Sequence, residues 1–265
     1  MIIGIIANMK KQQIRAFIPE LLTWMKANRC RYVLPYTSGT NKRIDIALTL
    51  GGDGMVLKTA RMLAGKNIPI LPVHMGTLGF LASVKKTQVF DVLGDVLKKK
   101  ISVTKISMLN VKVTRGKRVV KQYVALNDAV VRVGDVARAV VVEVRIGGEK
   151  YINFTGDGVI ISSPVGSSAY ALAAGGPVVS PSAKVLLLTP LAAHKLTARP
   201  VVVEDAEYIE SIVLDDAGNT SLTIDGQESI KLRNNDVVRV EKSKKTVTFL
   251  RSVNTFLETL RSKFG

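Results

Sequence analysis

The chain has 265 residues, 47% of them hydrophobic, 22% charged and only 5% aromatic, with a formal charge of +17. That composition excludes a disordered or fibrous chain and allows one large domain or two smaller ones around an aliphatic core. One cysteine, Cys30, excludes an internal disulfide and a multi-cysteine metal site, and two histidines, His74 and His194, argue against a histidine-rich zinc centre. No apolar run approaches the ~20 residues of a membrane helix. The opening MIIGIIANMKKQQ puts its apolar run before its charges, the reverse of a secretory signal, so a cytoplasmic protein with no membrane partner is expected.

In chain order, residues 2–7 form an almost wholly apolar, Ile-rich run that predicts a strand buried on both faces. Apolar residues at helical spacing predict a helix over 14–25, started or kinked by Pro19. Residues 44–50 predict a second buried strand that runs into Gly51-Gly52-Asp53-Gly54 and then a helix over 55–63. A strand over 68–73 and a helix over 88–97 follow, and this alternation points to a parallel α/β unit. After Lys100 the pattern changes to β-branched runs. Residues 101–114 and 119–133 are joined at 115–118 by a hairpin signal, 140–146 alternates, and Gly147-Gly148 is a second turn. Strand material fills 151–163, and small residues over 167–174 predict a helix ended by Gly175-Gly176-Pro177. Short strands are expected at 184–189, 201–204, 208–214, 221–224, 237–240 and 246–250. A closing helix over 254–264 would be capped by Asn254. The expected architecture is an α/β N-terminal domain with a parallel sheet over 1–100 and a larger β-rich C-terminal domain over 101–250. The helix 251–265 would pack back on the first.

The charge is unevenly spread. Eleven Lys and Arg lie between Lys85 and Lys121 against two acids, while acids dominate from Glu204 to Glu241. Polyanionic partners enter consideration, yet the basic stretch has neither aromatic interleaving nor a nucleic-acid-binding motif. A solvated lysine-rich surface is the favoured reading.

Four glycine-rich or polar elements carry chemistry. Asp53 lies in a turn from a buried strand to a helix, where open α/β sheets bind ligands. Glycines let a backbone approach phosphate, and the helix start offers free N–H groups. A carboxylate there suits a proton acceptor for a sugar hydroxyl or contact with phosphate through Mg²⁺; the plain alternative is a helix cap. The spacing fits neither G-x-G-x-x-G nor a Walker A loop. Gly76-Thr77-Leu78-Gly79-Phe80 is a second such loop, with Phe80 either stacking on a flat ring or filling core. Asn127-Asp128 interrupts an apolar stretch, and such polar residues need partners: an adenine edge and ribose hydroxyls, or the backbone of a bulge. Gly156-Asp157-Gly158 leads into the hydroxyl-rich 162–170, where Ser167 and Ser168 either cap a helix or bind a ligand. The order P-x-G-S-S is not a serine-hydrolase elbow.

Taken together and in order, GGDG (51–54), GTLGF (76–80), LND (126–128), GDGVIISSPVGSSAYALAAGGP (156–177), LTPLAAHKLTARP (188–200) and IDGQ (224–227) resemble the NAD kinase family. GGDG alone also occurs in lipid and sugar-phosphate kinases; GSSAY with LND at this long spacing is far more specific. The resemblance implies a NAD kinase-like two-domain architecture and phosphoryl transfer from ATP or polyphosphate to the adenosine ribose 2′-hydroxyl of NAD, giving NADP. It implies Mg²⁺ or another divalent metal without dedicated protein ligands, and a homodimer or homotetramer. Asp53 would be the catalytic acceptor of the proton. Gly54, Lys58 and Phe80 would border the substrate. Asn127 and Asp128 would hold adenine and ribose groups, and Asp157 would face the nicotinamide half. Ser168, Ala169, Tyr170 and Ala173 would line the adenine and ribose pocket. Arg138, Thr155, Ala192 and Gln227 match further binding positions. Departures are Met55 for Thr, His74 for Asn, Thr155 for a basic residue, and Ser162 and Ser168 for Thr. His194 matches the family's histidine, with a loop role favoured over catalysis. A lipid kinase, a non-catalytic nucleotide sensor and a nucleic-acid binder are the competing readings; intact Asp53 speaks against the sensor.

Overall fold

The computed structural model describes residues 1–76, 79–82, 84–134, 139–215, 219–250 and 256–264. The chain divides into two compact units, Met1–Ile106 with Thr246–Gly265, and Ser107–Lys245.

The first unit is α/β. It runs β1 (Ile2–Ala7), α1 (Gln12–Ala27), β2 (Arg31–Val33), β3 (Ile46–Gly51), α2 (Asp53–Leu63), β4 (Ile70–His74), β5 (Val84–Lys85) and α3 (Val89–Leu97). Its strands are parallel in the order β2-β1-β3-β4-β5. Every residue of β3 and β4 is buried, because a parallel sheet with helical crossovers is covered on both faces. Alternation assigns the faces. Leu48, Leu50, Leu71 and Val73 join Ile14, Phe17 and Leu21 of α1 in one core, while Thr49 on the opposite face bonds Thr59 of α2 at 3.1 Å. α1 continues through Pro19 rather than starting there. β2 and β5, three and two residues long, carry too little pattern to be read from sequence.

The second unit is all but entirely β. Its strands are β6 (Val103–Arg115), β7 (Arg118–Ala125), β8 (Asp128–Val133), β9 (Val140–Ile146), β10 (Glu149–Gly156) and β11 (Gly158–Ser162). One short helix, α4 (Tyr170–Ala173), then precedes β12 (Val185–Leu191), β13 (Val201–Glu204), β14 (Tyr208–Asp215), β15 (Thr220–Ile224), β16 (Glu228–Lys231) and β17 (Val237–Leu250). β6 begins in the first unit and β17 ends there, with Phe249 paired parallel to Ile70. One antiparallel sheet runs β13-β12-β11-β8-β15-β16, and β10-β9-β14-β17 form a second antiparallel set. Their inner faces share one core of Val, Ile and Leu, with Val131, Val142, Val159, Leu188, Leu222 and Val240 among its members. Val130 and Ile160 face the other way, under Ala171 of α4, as period-two alternation requires. The chain closes with α5 (Phe256–Phe264), grouped with the first unit. Asn254, expected to cap it, lies outside the described residues.

Three expectations are corrected. The run over 119–133 is two strands, because the chain leaves β7 at Ala125 and re-enters a different sheet at Asp128. Residues 237–240 and 246–250 belong to one strand, since the charged residues between them sit on a strand's outer face. The small-residue helix over 167–174 is a 3₁₀ turn, Val165–Ser168, followed by the four-residue α4.

Part of the uneven charge is resolved inside the second unit. Arg115 grips the fully buried Asp236 through two bonds of 2.8 and 2.7 Å, and Lys112 reaches Glu241 at 3.0 Å. Basic and acidic stretches of sequence thus pair across neighbouring strands. Among the described residues, no helix is long and apolar enough to cross a membrane.

Leu48, wholly buried at the centre of the parallel sheet, tests the first core. Leu48→Ala is expected to lower stability by about 2–5 kcal/mol, read as an earlier urea midpoint.

Candidate active site

β3 ends at Gly51, and α2 begins two residues later with Gly52 at its N-cap position. Asp53 is therefore the first residue of the helix, and its carboxylate does not cap α2, contrary to the plain reading of the turn. Instead it accepts backbone N–H groups from a segment 27 to 29 residues further on. Phe80 donates to Oδ2 at 2.9 Å, and Leu81 and Ala82 donate to Oδ1 at 3.2 and 3.0 Å. Successive backbone amides make a concave anion site, and here a side-chain carboxylate occupies it. Gly79 makes the approach possible: a Cβ there would run into both carboxylate oxygens of Asp53. Oδ2 takes one amide hydrogen among the described residues, which leaves it acceptor capacity for a further proton donor.

Asp53 and Phe80, named from sequence, are thus brought together, with Gly54 and Lys58 exposed on the same helix. The Phe80 ring is half-buried, and the Lys263 ammonium of α5 lies 5.8 Å from its centroid. His74 ends β4 in register with Gly51. It is buried, with Nδ1 2.8 Å from the Gly76 carbonyl oxygen.

In the second unit the polar interruption at 126–128 is a turn whose backbone is satisfied from two sides. Asp225 Oδ1 accepts N–H groups from Leu126, Asn127 and Asp128 at 3.1, 2.8 and 3.2 Å, and Oδ2 shares the Leu126 hydrogen at 3.1 Å. The Asp225 N–H returns a bond to the Asp128 carbonyl at 3.0 Å. Ser163 takes the remaining carbonyls, with Oγ donating to Leu126 at 2.6 Å and N–H donating to Asn127 at 2.8 Å. Gly166 lets the 163–168 loop lie against the turn, since a Cβ there would strike the Asn127 carbonyl oxygen. With the backbone so occupied, Asn127 is 8% exposed and its side-chain Oδ1 has no partner. Asp128 is 5% exposed; burial first, and the Asp225 carboxylate second, push its carboxyl up to about 7.

The other sequence-named residues of this unit fall into two groups. Ser168, Ala169, Tyr170 and Ala173 follow the 163–166 loop, Ser168 and Ala169 half-buried, Tyr170 and Ala173 exposed. The serines do not cap α4. Ser167 Oγ donates to Pro164 at 2.6 Å and accepts from Val179 at 3.0 Å, and Ser168 Oγ donates to Val165 at 3.2 Å. The second group joins Thr155 and Asp157, around the β10–β11 junction, to Ala192. The Asp157 N–H donates to Leu191 and the His194 N–H to Thr155, both at 2.9 Å, and a Cβ on Gly156 would meet Leu191, Ala192 and Ala193 backbone. Ala192 sits at φ +43°. An open cavity of about 430 Å³ is lined here by Thr155, His194 and Lys195, with Val141, Asn153 and Phe154. Gln227 is exposed beyond the turn that carries Asp225. Arg138 lies outside the described residues. Asp225 and Ser163 are the residues that sequence reasoning misses. Their signals are an acid in IDGQ and a second serine before the proline, but an Asp-Gly pair reads as a hairpin turn.

Residues 38–101 match the family model of the ATP-NAD kinase N-terminal domain, and residues 126–252 that of the ATP-NAD kinase C-terminal domain. The chain belongs to the NAD kinase family. It is similar to the NAD kinase of Acidobacterium capsulatum, 36% identical over 98% of this chain and 97% of that one. It is 34% identical to the NAD kinase of Trichlorobacter lovleyi, over 94% and 93%. Its fold is that of a yeast NADH kinase solved with NADH, at a TM-score of 0.90 and 22% identity over 100% of this chain and 87% of that one. The NAD kinase from Archaeoglobus fulgidus, solved with ATP, superposes at 0.80 with 24% identity over 100% and 98%. The α/β unit with a parallel sheet and the larger β-rich unit are therefore those of a NAD kinase, and the protein is a phosphotransferase.

Two outcomes follow from this geometry. Gly79→Ala is expected to displace the Asp53 carboxylate and lower kcat by about a hundredfold, measured on folded variant. For Asp128, a carboxyl raised from 3.8 to about 7 keeps its proton in the folded state after the unfolded chain has released it. Its contribution to stability therefore falls as pH rises from about 4 to about 7 and is flat above. Asp128→Asn does not titrate, so its stability relative to wild type is expected to improve across that window. Urea midpoints of both proteins at several pH values check this, and a constant difference would mean that Asp128 ionises normally.

Proposed function

We propose that the protein transfers a phosphoryl group from ATP or an inorganic polyphosphate to the 2′-hydroxyl of the adenosine ribose of NAD, producing NADP. The observation that carries this reading is the Asp53 carboxylate, fixed by three amides at the carboxyl end of a parallel strand with acceptor capacity left on Oδ2. A carboxylate held in this way is suited to orienting a hydroxyl. Phosphoryl transfer asks a protein mainly for positioning and charge neutralisation. Asp53 accepts the hydrogen bond of the 2′-hydroxyl and keeps its oxygen in line with the terminal phosphorus. As the O2′–P bond forms and the bond from phosphorus to the bridging oxygen breaks, the hydroxyl proton passes to Asp53. The donor leaves one phosphate shorter. Gly54 leaves the helix start open to the substrate, and Lys58, one turn on, adds positive charge.

Asn127, with an unpartnered amide oxygen on a fully bonded turn, suits the adenine edge, which presents donor and acceptor together. Asp128 serves the ribose hydroxyls. Ser168, Ala169, Tyr170 and Ala173 line the same pocket, where the Ser168 hydroxyl, its proton given to Val165, accepts from the ligand. Asp157, Thr155 and Ala192 serve the nicotinamide half, and Phe80, Arg138 and Gln227 complete the set. A divalent cation such as Mg²⁺, when bound with the donor, would supply charge neutralisation on its phosphates. Among the described residues no three His, Cys, Asp or Glu side chains gather into a metal cage. Asp53 is the carboxylate that would reach such an ion if the donor phosphates carried it to the start of α2. A homodimer or homotetramer is part of the proposal, supported by β13 and β16, which end their sheet and leave edges that a second copy can pair with.

Purified protein, NAD and Mg²⁺, with ATP and polyphosphate in parallel, test the reading beside Asp53→Asn. NADP is expected from wild type, with kcat reduced by about 10²-fold or more in the variant while NAD affinity is largely kept. NAD binding without product from either donor would sink it in favour of a nucleotide sensor.

A further inference from the structure

Asp225 lies between β15 and β16 as the first residue of an Asp-Gly hairpin turn, at φ +49° with Gly226 at +62°. Two successive turn residues with positive φ select Asn-Gly or Asp-Gly, so the turn alone accounts for the residue type. It does not account for where the carboxylate goes. Turn carboxylates ordinarily reach water, whereas Asp225 is 6% exposed and takes the N–H groups of three consecutive residues 97 to 99 positions earlier. Those three are Leu126, Asn127 and Asp128, and no other acceptor for their N–H groups appears among the described residues. The Asp225 N–H closes the loop onto the Asp128 carbonyl. Ser163 holds the other two carbonyls. The pairing of β15 with β8, Ile224 opposite Ala129, brings the two turns side by side.

We propose that Asp225 is a positioning residue of the dinucleotide site: it fixes the Asn127–Asp128 turn through the backbone, and thereby the direction of the Asn127 amide, without itself touching the ligand. The proposal rests on the reading of Asn127 and Asp128 as adenine and ribose contacts. Removing the acceptor strands three buried N–H groups, and the cheapest remedy is for the turn to move until they find other partners. Asn127, whose amide oxygen is held by nothing else, moves with it.

The chemistry separates the acceptor from the charge. All three N–H groups reach Oδ1, so an amide oxygen in its place keeps these three donors satisfied, at the cost of the second bond to Leu126. Asp225→Ala is therefore expected to weaken NAD binding by about tenfold or more and to raise KM for NAD while KM for the phosphoryl donor stays within about twofold. Asp225→Asn is expected to recover most of the affinity. Hydrogen exchange at the Leu126, Asn127 and Asp128 amides, measured on the same purified chains, should quicken in Asp225→Ala and far less in Asp225→Asn. NAD affinity in a folded Asp225→Ala equal to wild type would overturn the proposal. So would equal losses for both substrates, or an Asn variant as impaired as the Ala variant. Should wild type itself fail to bind NAD, the reading of the site falls, and the exchange rates still decide whether Asp225 holds the turn.

Discussion

One hydrogen-bond arrangement, a side-chain carboxylate that receives three consecutive backbone N–H groups, occurs in both units. Asp53 takes those of Phe80, Leu81 and Ala82, and Asp225 takes those of Leu126, Asn127 and Asp128. Loops outside regular structure have no ladder to satisfy their polar groups, and a buried unpaired amide is costly. An aspartate from a distant turn supplies the acceptors at once and fixes the loop more firmly than scattered single bonds would. In the first unit the carboxylate is, on the proposed function, itself the reacting group. In the second it stands behind the groups that would meet the ligand.

Glycines set the approach distances. Gly79 and Gly166 each face an atom of the site, and any side chain at either would occupy space that Asp53 or the Asn127 carbonyl already fills. The glycines of these motifs therefore serve close passage of the backbone past the Asp53 carboxylate and the Asn127 carbonyl.

The parallel unit is legible in the sequence because its strands are continuous apolar runs and its helices keep strict spacing; 2–7 coincides with β1, and 88–97 differs from α3 by one residue. β17 is harder to read because exposed charges at Lys242, Lys244 and Lys245 look like a loop until the alternating burial of Ser243 is seen. The break at Asn127 is visible as a polar pair but not as a change of sheet, since both flanks are β-branched. Local sequence marks the glycine-rich and polar turns. It does not give their partners, because Asp53 and Asp225 find them 27 and 97 or more residues away, and a contact of that range leaves no periodic trace.

The hold on these two carboxylates also bears on the chemical ageing of the chain. Asp53-Gly54 and Asp225-Gly226 are Asp-Gly sequences, the kind in which the following nitrogen most readily attacks the side-chain carboxyl carbon and rearranges the backbone to an iso-aspartyl link. That attack needs a mobile side chain and a flexible peptide. A carboxylate gripped by three amides, at a helix start in one case and buried in the other, has neither. The bonds that set these sites therefore also guard the covalent integrity of the main chain where a single rearrangement would cost both.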